Sequence, residues 1–182
     1  QNEFFDLLST TFYYTFFGTI GSIVFGILTA QLVNQKFFGR TFMRSVLLFP
    51  YVGPVVALAY TWELLLDPYS GTLNNLLINF QVIQEPLNLL GQKYLTINFF
   101  GFDLKLRLAL TTVIIFEIWR YFPLAFLFIL ARLQAVPKEL YEAADVDGAG
   151  PLQKFVNITL PQITAVISIL FMIRFIWNFN KF

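Results

Sequence analysis

From Leu7 to Gln35 the chain carries no charged residue. A hydrocarbon layer about 30 Å thick is crossed by about 20 apolar residues of α-helix rising about 1.5 Å each. This run is long enough to span. A helix apolar on every side has no face to offer water, and three more apolar runs follow, over 45–66, 106–131 and 161–179. Charged residues make up 13% of the chain, against roughly 25% in soluble domains. The expected fold is an all-α membrane protein, a polytopic transmembrane helix bundle of about four spans (7–33, 45–66, 106–131 and 161–179), embedded in a lipid bilayer.

Several functions are disfavoured at once. A net charge of +1 gives no reason to expect a nucleic-acid partner. With no cysteine and no histidine, a disulfide framework, a thiolate metal site and the usual near-neutral general base are missing, so no catalytic residue and no metal ligand is expected. The chain begins at Gln1 and stops at Phe182 just after an apolar run. It reads as an internal piece of a longer membrane protein, truncated at both ends.

Each span carries a distinguishing mark. Gly18, Gly21 and Gly26 lie in the first; small residues allow close helix approach in lipid, although their spacing is also ordinary glycine tolerance. Pro50, Gly53 and Pro54 fall in the second, where a kink either borders a translocation path or serves packing. Glu117 and Arg120 in the third are three residues apart and share a helix face. They form a candidate intramembrane pair, as a structural salt link or as a solute contact. Pro161 opens the fourth, where its missing donor costs nothing.

Lysine and arginine fix the expected orientation. Lys36, Arg40 and Arg44 occupy one connection and Arg132, Lys138 and Lys154 another, whereas 67–104 holds only Lys93. The positive-inside rule puts the two basic connections in the cytoplasm and 67–104 outside. In the outer segment, Leu73, Leu76, Leu77, Phe80 and Ile83 repeat at helical spacing after a turn signal at 67–71, which predicts a short amphipathic helix. The aromatic and β-branched stretch from Tyr94 to Phe102 around Gly101 predicts a small hairpin.

The loop over 136–160 differs from everything around it. Glu139, Glu142, Asp145 and Asp147 are four of the chain's eleven acids. Pro137 can begin a helix and Gly148 is placed to end it in a left-handed cap. A second short helix is expected from Pro151 to about Ile158, before the fourth span. An interfacial anchor prefers a basic polar face. This face is acidic and bears paired alanines, which suits close approach by another protein.

The same residues carry a resemblance. Glu142-Ala143-Ala144, three residues, Gly148, nine residues, Ile158, one residue and Leu160-Pro161 resembles the EAA signature of binding-protein-dependent ABC importer permeases. The run Leu133 to Tyr141, Phe37-Phe38-Gly39-Arg40 and Pro50-Tyr51-Val52-Gly53-Pro54 look like the carbohydrate branch, of maltose and glycerol-3-phosphate type. The likeness covers roughly Leu7 to Phe182, although the outer segment 84–102 departs from the family's usual Trp-rich pattern. It implies a multi-pass subunit of a prokaryotic cell membrane, translocating a sugar or sugar derivative by alternating access. Its implied partners are an ABC ATPase dimer, a second permease subunit and an extracytoplasmic solute-binding protein. Glu142, Ala143, Ala144 and Gly148, with Leu160 and Pro161 joining loop to span, would couple to the ATPase. No GxxxxGK[ST] run is present, so no cofactor is expected in this chain, with ATP and Mg held by the ATPase. Two other classes remain: a secondary transporter, for which only Glu117 and Arg120 sit at suitable depth, and a membrane enzyme, which lacks a nucleophile–base set.

Overall fold

The computed structural model describes residues 2–99 and 102–180. Three helices are long and apolar enough to cross a membrane, or four if one broken pair counts as a span. The first is α1, Asn2–Asn34, which contains all of the charge-free run except Gln35.

The second apolar run is broken near its middle, as one interrupted span or a re-entrant loop. It stops and restarts as α2 (Arg40–Val52) and α3 (Val55–Leu66). Pro54 sits at the N-cap of α3, where its missing N–H is harmless, and its carbonyl accepts from the Leu58 amide at 3.1 Å. Pro50, by contrast, lies inside α2 and is buried. The Gly53-Pro54 pair therefore ends one helix and begins another.

Beyond α3 come α4 (Thr72–Asn79) and a two-stranded antiparallel hairpin, β1 (Leu95–Phe99) with β2 (Phe102–Leu106). Leu95 pairs with Leu106 and Phe99 with Phe102. The hairpin expected over Tyr94–Phe102 thus extends further along the chain, and Gly101 lies outside the described residues. Then follow α5 (Leu108–Gln134), α6 (Lys138–Val146), α7 (Pro151–Lys154), a π-helical turn (Phe155–Thr159) and α8 (Leu160–Phe179).

The chain divides into two compact units. One comprises Gln1–Tyr51 with Ile118–Phe182, the other Val52–Glu117. In the first, Ile23, Ala30 and Val33 of α1, Phe122, Phe126, Ile129 and Leu133 of α5, and Ile163 and Leu170 of α8 make one buried cluster. Between helices in lipid, packing rather than water exclusion provides the attraction, so backbone proximity matters. Gly26 supplies it: a Cβ there would lie 2.6 Å from the Ala125 Cβ and 2.9 Å from the Phe126 amide nitrogen. Another side chain at 26 would force α1 and α5 apart.

A polar stripe runs along the same face of the unit. Thr15, Thr19 and Ser22 of α1 are fully buried, as are Arg174 and Asn178 of α8. Asn178 donates to Thr19 Oγ1 at 3.4 Å, while Ser22 Oγ donates back to the Thr19 carbonyl at 2.9 Å. Ser22 is thus satisfied within its own helix and Thr19 across to α8, and short hydroxyl side chains of this kind allow helices to lie close.

The other unit is organised by one side chain. Asn74 in α4 is 1% exposed. Its Nδ2 donates to the Leu87 carbonyl at 3.0 Å and to the Asp67 carbonyl at 3.3 Å, and its Oδ1 accepts from the Leu87 amide at 3.0 Å. The helix expected here is present, but Leu73, Leu76 and Phe80 stand exposed and Ile83 lies past its end. The sequence pattern finds the helix and not its covered side.

Candidate functional site: the 136–160 loop

Pro137 is the N-cap of α6, so Lys138 rather than proline takes the first helical position. Glu139 sits in the first turn, where a carboxylate meets the positive end of the helix dipole. Gly148 ends the helix with φ +74°. The Gly148 amide donates to the Asp145 carbonyl at 3.1 Å and the Ala149 amide to the Ala144 carbonyl at 2.8 Å. Together they close a complete Schellman cap. A Cβ at 148 would meet nothing within 4 Å, so the backbone angle, not space, calls for glycine.

The faces of α6 are unequal. Glu142 and Ala143 are exposed, Ala144 half-buried, and Tyr141 turned inward. Leu140, Val146 and Leu152 add exposed apolar surface beside the acids. Four coupling candidates therefore sit on one short capped helix: Glu142, Ala143 and Ala144 in α6, with Gly148 at its end. Leu160 and Pro161 lie elsewhere, at the start of α8, half-buried and exposed respectively.

The second half of the loop departs from expectation. Two separate helices were expected on either side of residue 160, yet Pro151–Phe179 forms one continuous helical segment. Pro161 explains how. In an unbroken α-helix its ring would clash with the carbonyl four residues earlier and leave that carbonyl without a donor. The chain widens instead: Phe155–Thr159 is π-helical, and the Leu160 amide donates to the Phe155 carbonyl five residues back.

Side chains that periodicity does not flag tie the loop down. The Arg132 Nε of α5 donates to the Gln162 carbonyl of α8 at 2.9 Å, and its Nη2 to Gln162 Oε1 at 2.5 Å. Tyr141 OH and Thr159 Oγ1 are 3.0 Å apart. Lys154 forms an ion pair with Asp145, and Gln153 Oε1 accepts from the Gly150 amide at 2.8 Å. A polar recess of about 270 Å³ beside Tyr141, Lys154 and Thr159 is also lined by Gln31 and Asn34 at the end of α1. Only the clustering of polar residues within an otherwise apolar chain hints at these contacts.

Deeper in the chain, Glu117 is 5% exposed. Arg120 lies with its guanidinium carbon 5.2 Å from the Tyr121 ring centroid. The buried Arg174 comes closer to the same ring, at 3.9 Å, a cation–π distance that residue spacing does not reveal. Among the described residues no group of three His, Cys, Asp or Glu side chains is placed to hold a metal ion.

Long apolar helices, a close glycine contact and a short helix closed by a glycine cap define a multi-pass, helical membrane protein. The chain belongs to the family of binding-protein-dependent transport system inner membrane components, which matches it over residues 22–182. It is 36% identical over 179 residues to the inner membrane ABC transporter permease protein YcjO of Escherichia coli, covering 98% of this chain and 57% of that protein. Similarity to the trehalose/maltose transport system permease protein MalF of Thermococcus litoralis is 30% over 172 residues, 94% of this chain and 53% of the relative. The sn-glycerol-3-phosphate transport system permease protein UgpA of Escherichia coli gives 30% over 180 residues, 98% and 55%. Among solved structures, a bacterial ABC transporter involved in the import of the acidic polysaccharide alginate superimposes with a TM-score of 0.78 at 23% identity, covering 96% of this chain and 56% of that chain. This last likeness concerns the fold alone. The chain spans about half the length of the curated relatives it matches.

Proposed function

We propose that this chain is part of the membrane-spanning permease of an ATP-driven, binding-protein-dependent importer whose solute is a sugar or sugar derivative. The exposed Glu142–Ala143 face of α6 carries the proposal. It is a short, rigidly capped helix that offers small apolar and acidic side chains to a partner rather than to headgroups. That partner is a separate ATPase dimer, which binds ATP and Mg. This chain, without a phosphate-cradling loop, holds neither and is not itself an enzyme. A second permease subunit completes the path, and an extracytoplasmic solute-binding protein delivers the cargo. Support for the sugar class comes from the trehalose/maltose and sn-glycerol-3-phosphate permeases to which the chain is similar. Glu117 and Arg120 are the proposed intramembrane pair, a salt link within α5.

These 182 residues hold no cysteine, so Ala143→Cys introduces one thiol into this segment. In the assembled importer it is expected to crosslink efficiently to the ATPase subunit. Absence of crosslinking at 142, 143 and 146 in an assembled complex removes the docking assignment.

A further inference from the structure

Helix α6 touches the continuous Pro151–Phe179 segment through two side-chain contacts, at Lys154 in α7 and at Thr159 in the π-helical turn, whose spacings do not match at first sight. On α6, Tyr141 and Asp145 are four residues apart and so lie on one face. Their partners, Thr159 and Lys154, are five apart. At about 100° per residue, side chains five apart in an α-helix diverge by roughly 140°. The π-helical turn at Phe155–Thr159 removes that divergence, because i→i+5 bonding brings positions five apart toward one side. Thus the widened turn does more than accommodate Pro161: it turns Thr159 toward α6.

Thr159 is well placed for that task. It is 6% exposed, and its hydroxyl also lies 3.4 Å from the Lys154 carbonyl as a donor. Either hydroxyl can be the donor in the 3.0 Å contact between Thr159 and Tyr141. The Asp145–Lys154 pair is partly solvent-exposed, and exposed ion pairs contribute little. The partly buried hydroxyl pair is the stiffer of the two links.

We infer that Tyr141 and Thr159 are positioning residues, a strut set in register by the π-helical turn that transmits displacement of α6 into α8. This rests on the docking of α6 to an ATPase. The geometry assigns the Tyr141–Thr159 bond, rather than the Leu160-Pro161 junction alone, as the mechanical link.

The test uses the full-length chain in its complete importer, reconstituted in liposomes. Single cysteines at the exposed α8 positions Thr164 and Met172 report maleimide labelling rates, with and without ATP–vanadate trapping. In the parent, trapping changes both rates. Tyr141→Phe and Thr159→Val are each expected to shrink that change about five- to tenfold, while Thr159→Ser retains it. The double variant should be no worse than either single, since both remove the same bond. The Ala143→Cys crosslink should persist throughout, showing that docking is intact. A full nucleotide response in both singles overturns the inference, as do additive losses in the double variant. A crosslinking parent without any nucleotide response at either reporter overturns it too. Loss of the crosslink in the parent itself sinks the docking assignment instead, so the two failures are distinguishable.

Discussion

The chain has two polar, turn-rich segments between its apolar helices, and they are built in opposite ways. The 136–160 loop is secured from both sides: Arg132 reaches Gln162, and Tyr141 reaches Thr159. Its outward face is left free. The 67–106 segment is organised around a single buried amide, Asn74, which bonds the chain at Asp67 and Leu87. Its apolar residues Leu73, Leu76 and Phe80 stay exposed. One segment is tied by side chains to the helices on both sides. The other folds around its own Asn74 and is tied to the first turn of α5, where the Ala109 amide donates to the Gln92 carbonyl and the Thr112 hydroxyl to the Leu89 carbonyl, each at 3.2 Å. A loop that passes on displacement must be stiff where it joins the spans; a segment folded around its own Asn74 can be perturbed locally.

That contrast is open to measurement. The largest effect on transport is expected at Gly148. A residue with a Cβ held at φ +74° costs roughly 1–2 kcal/mol, and an added carboxylate at the negative end of α6 is unfavourable. Gly148→Asp is therefore expected to insert normally yet lower uptake per ATP hydrolysed by about tenfold. Normal coupling in that variant would show that the loop tolerates a loosened end, and the contrast would collapse. Next in size is Asn74→Ala. Leaving the Leu87 and Asp67 backbone groups without their partner costs roughly 1–3 kcal/mol. Amide exchange should rise between residues 67 and 92 and stay unchanged across 138–160. Faster exchange in both places would mean the segments are not independent.

The smallest effect concerns acid. The Ser70 amide, the Ser70 hydroxyl and the Tyr69 amide all donate to Asp67 and hold its carboxyl below the ordinary carboxylate value. A depressed folded-state value means the stabilisation is present above the unfolded value, about 4, and is lost as pH falls through the folded one. The turn at 67–71 is thus expected to loosen only below about pH 4. Exchange at Tyr69 and Ser70 should show this, and Asp67→Asn should abolish the dependence. A pH response centred near neutrality would point to a different group.

How far the sequence discloses this depends on the signal. The charge-free run to Gln35 leaves α1 no alternative, and Gly148 with its spacing from Glu142 marks both the end of α6 and the family. The π-helical turn is hidden because Pro151 and Pro161 each read as a helix start, so one helix is parsed as two. The interruption at Gly53-Pro54 reads from the sequence only as a kink, since proline alone does not distinguish a kink from a stop. Asn74 escapes notice because it sits in an apolar stripe whose period points elsewhere. The partners of Arg132 and Tyr141 lie 30 and 18 residues away, beyond the reach of any local pattern.

The Arg132–Gln162 clamp has a further consequence, for the order in which the chain takes shape during synthesis. Its two residues are 30 positions apart, so the clamp cannot close until the first turn of α8 has left the ribosome. Until then α6 carries its cap but no clamp to α8, and the entropy of closing the ring opposes its docking. Completion of the loop is a late event, coupled to insertion of the helix that follows it.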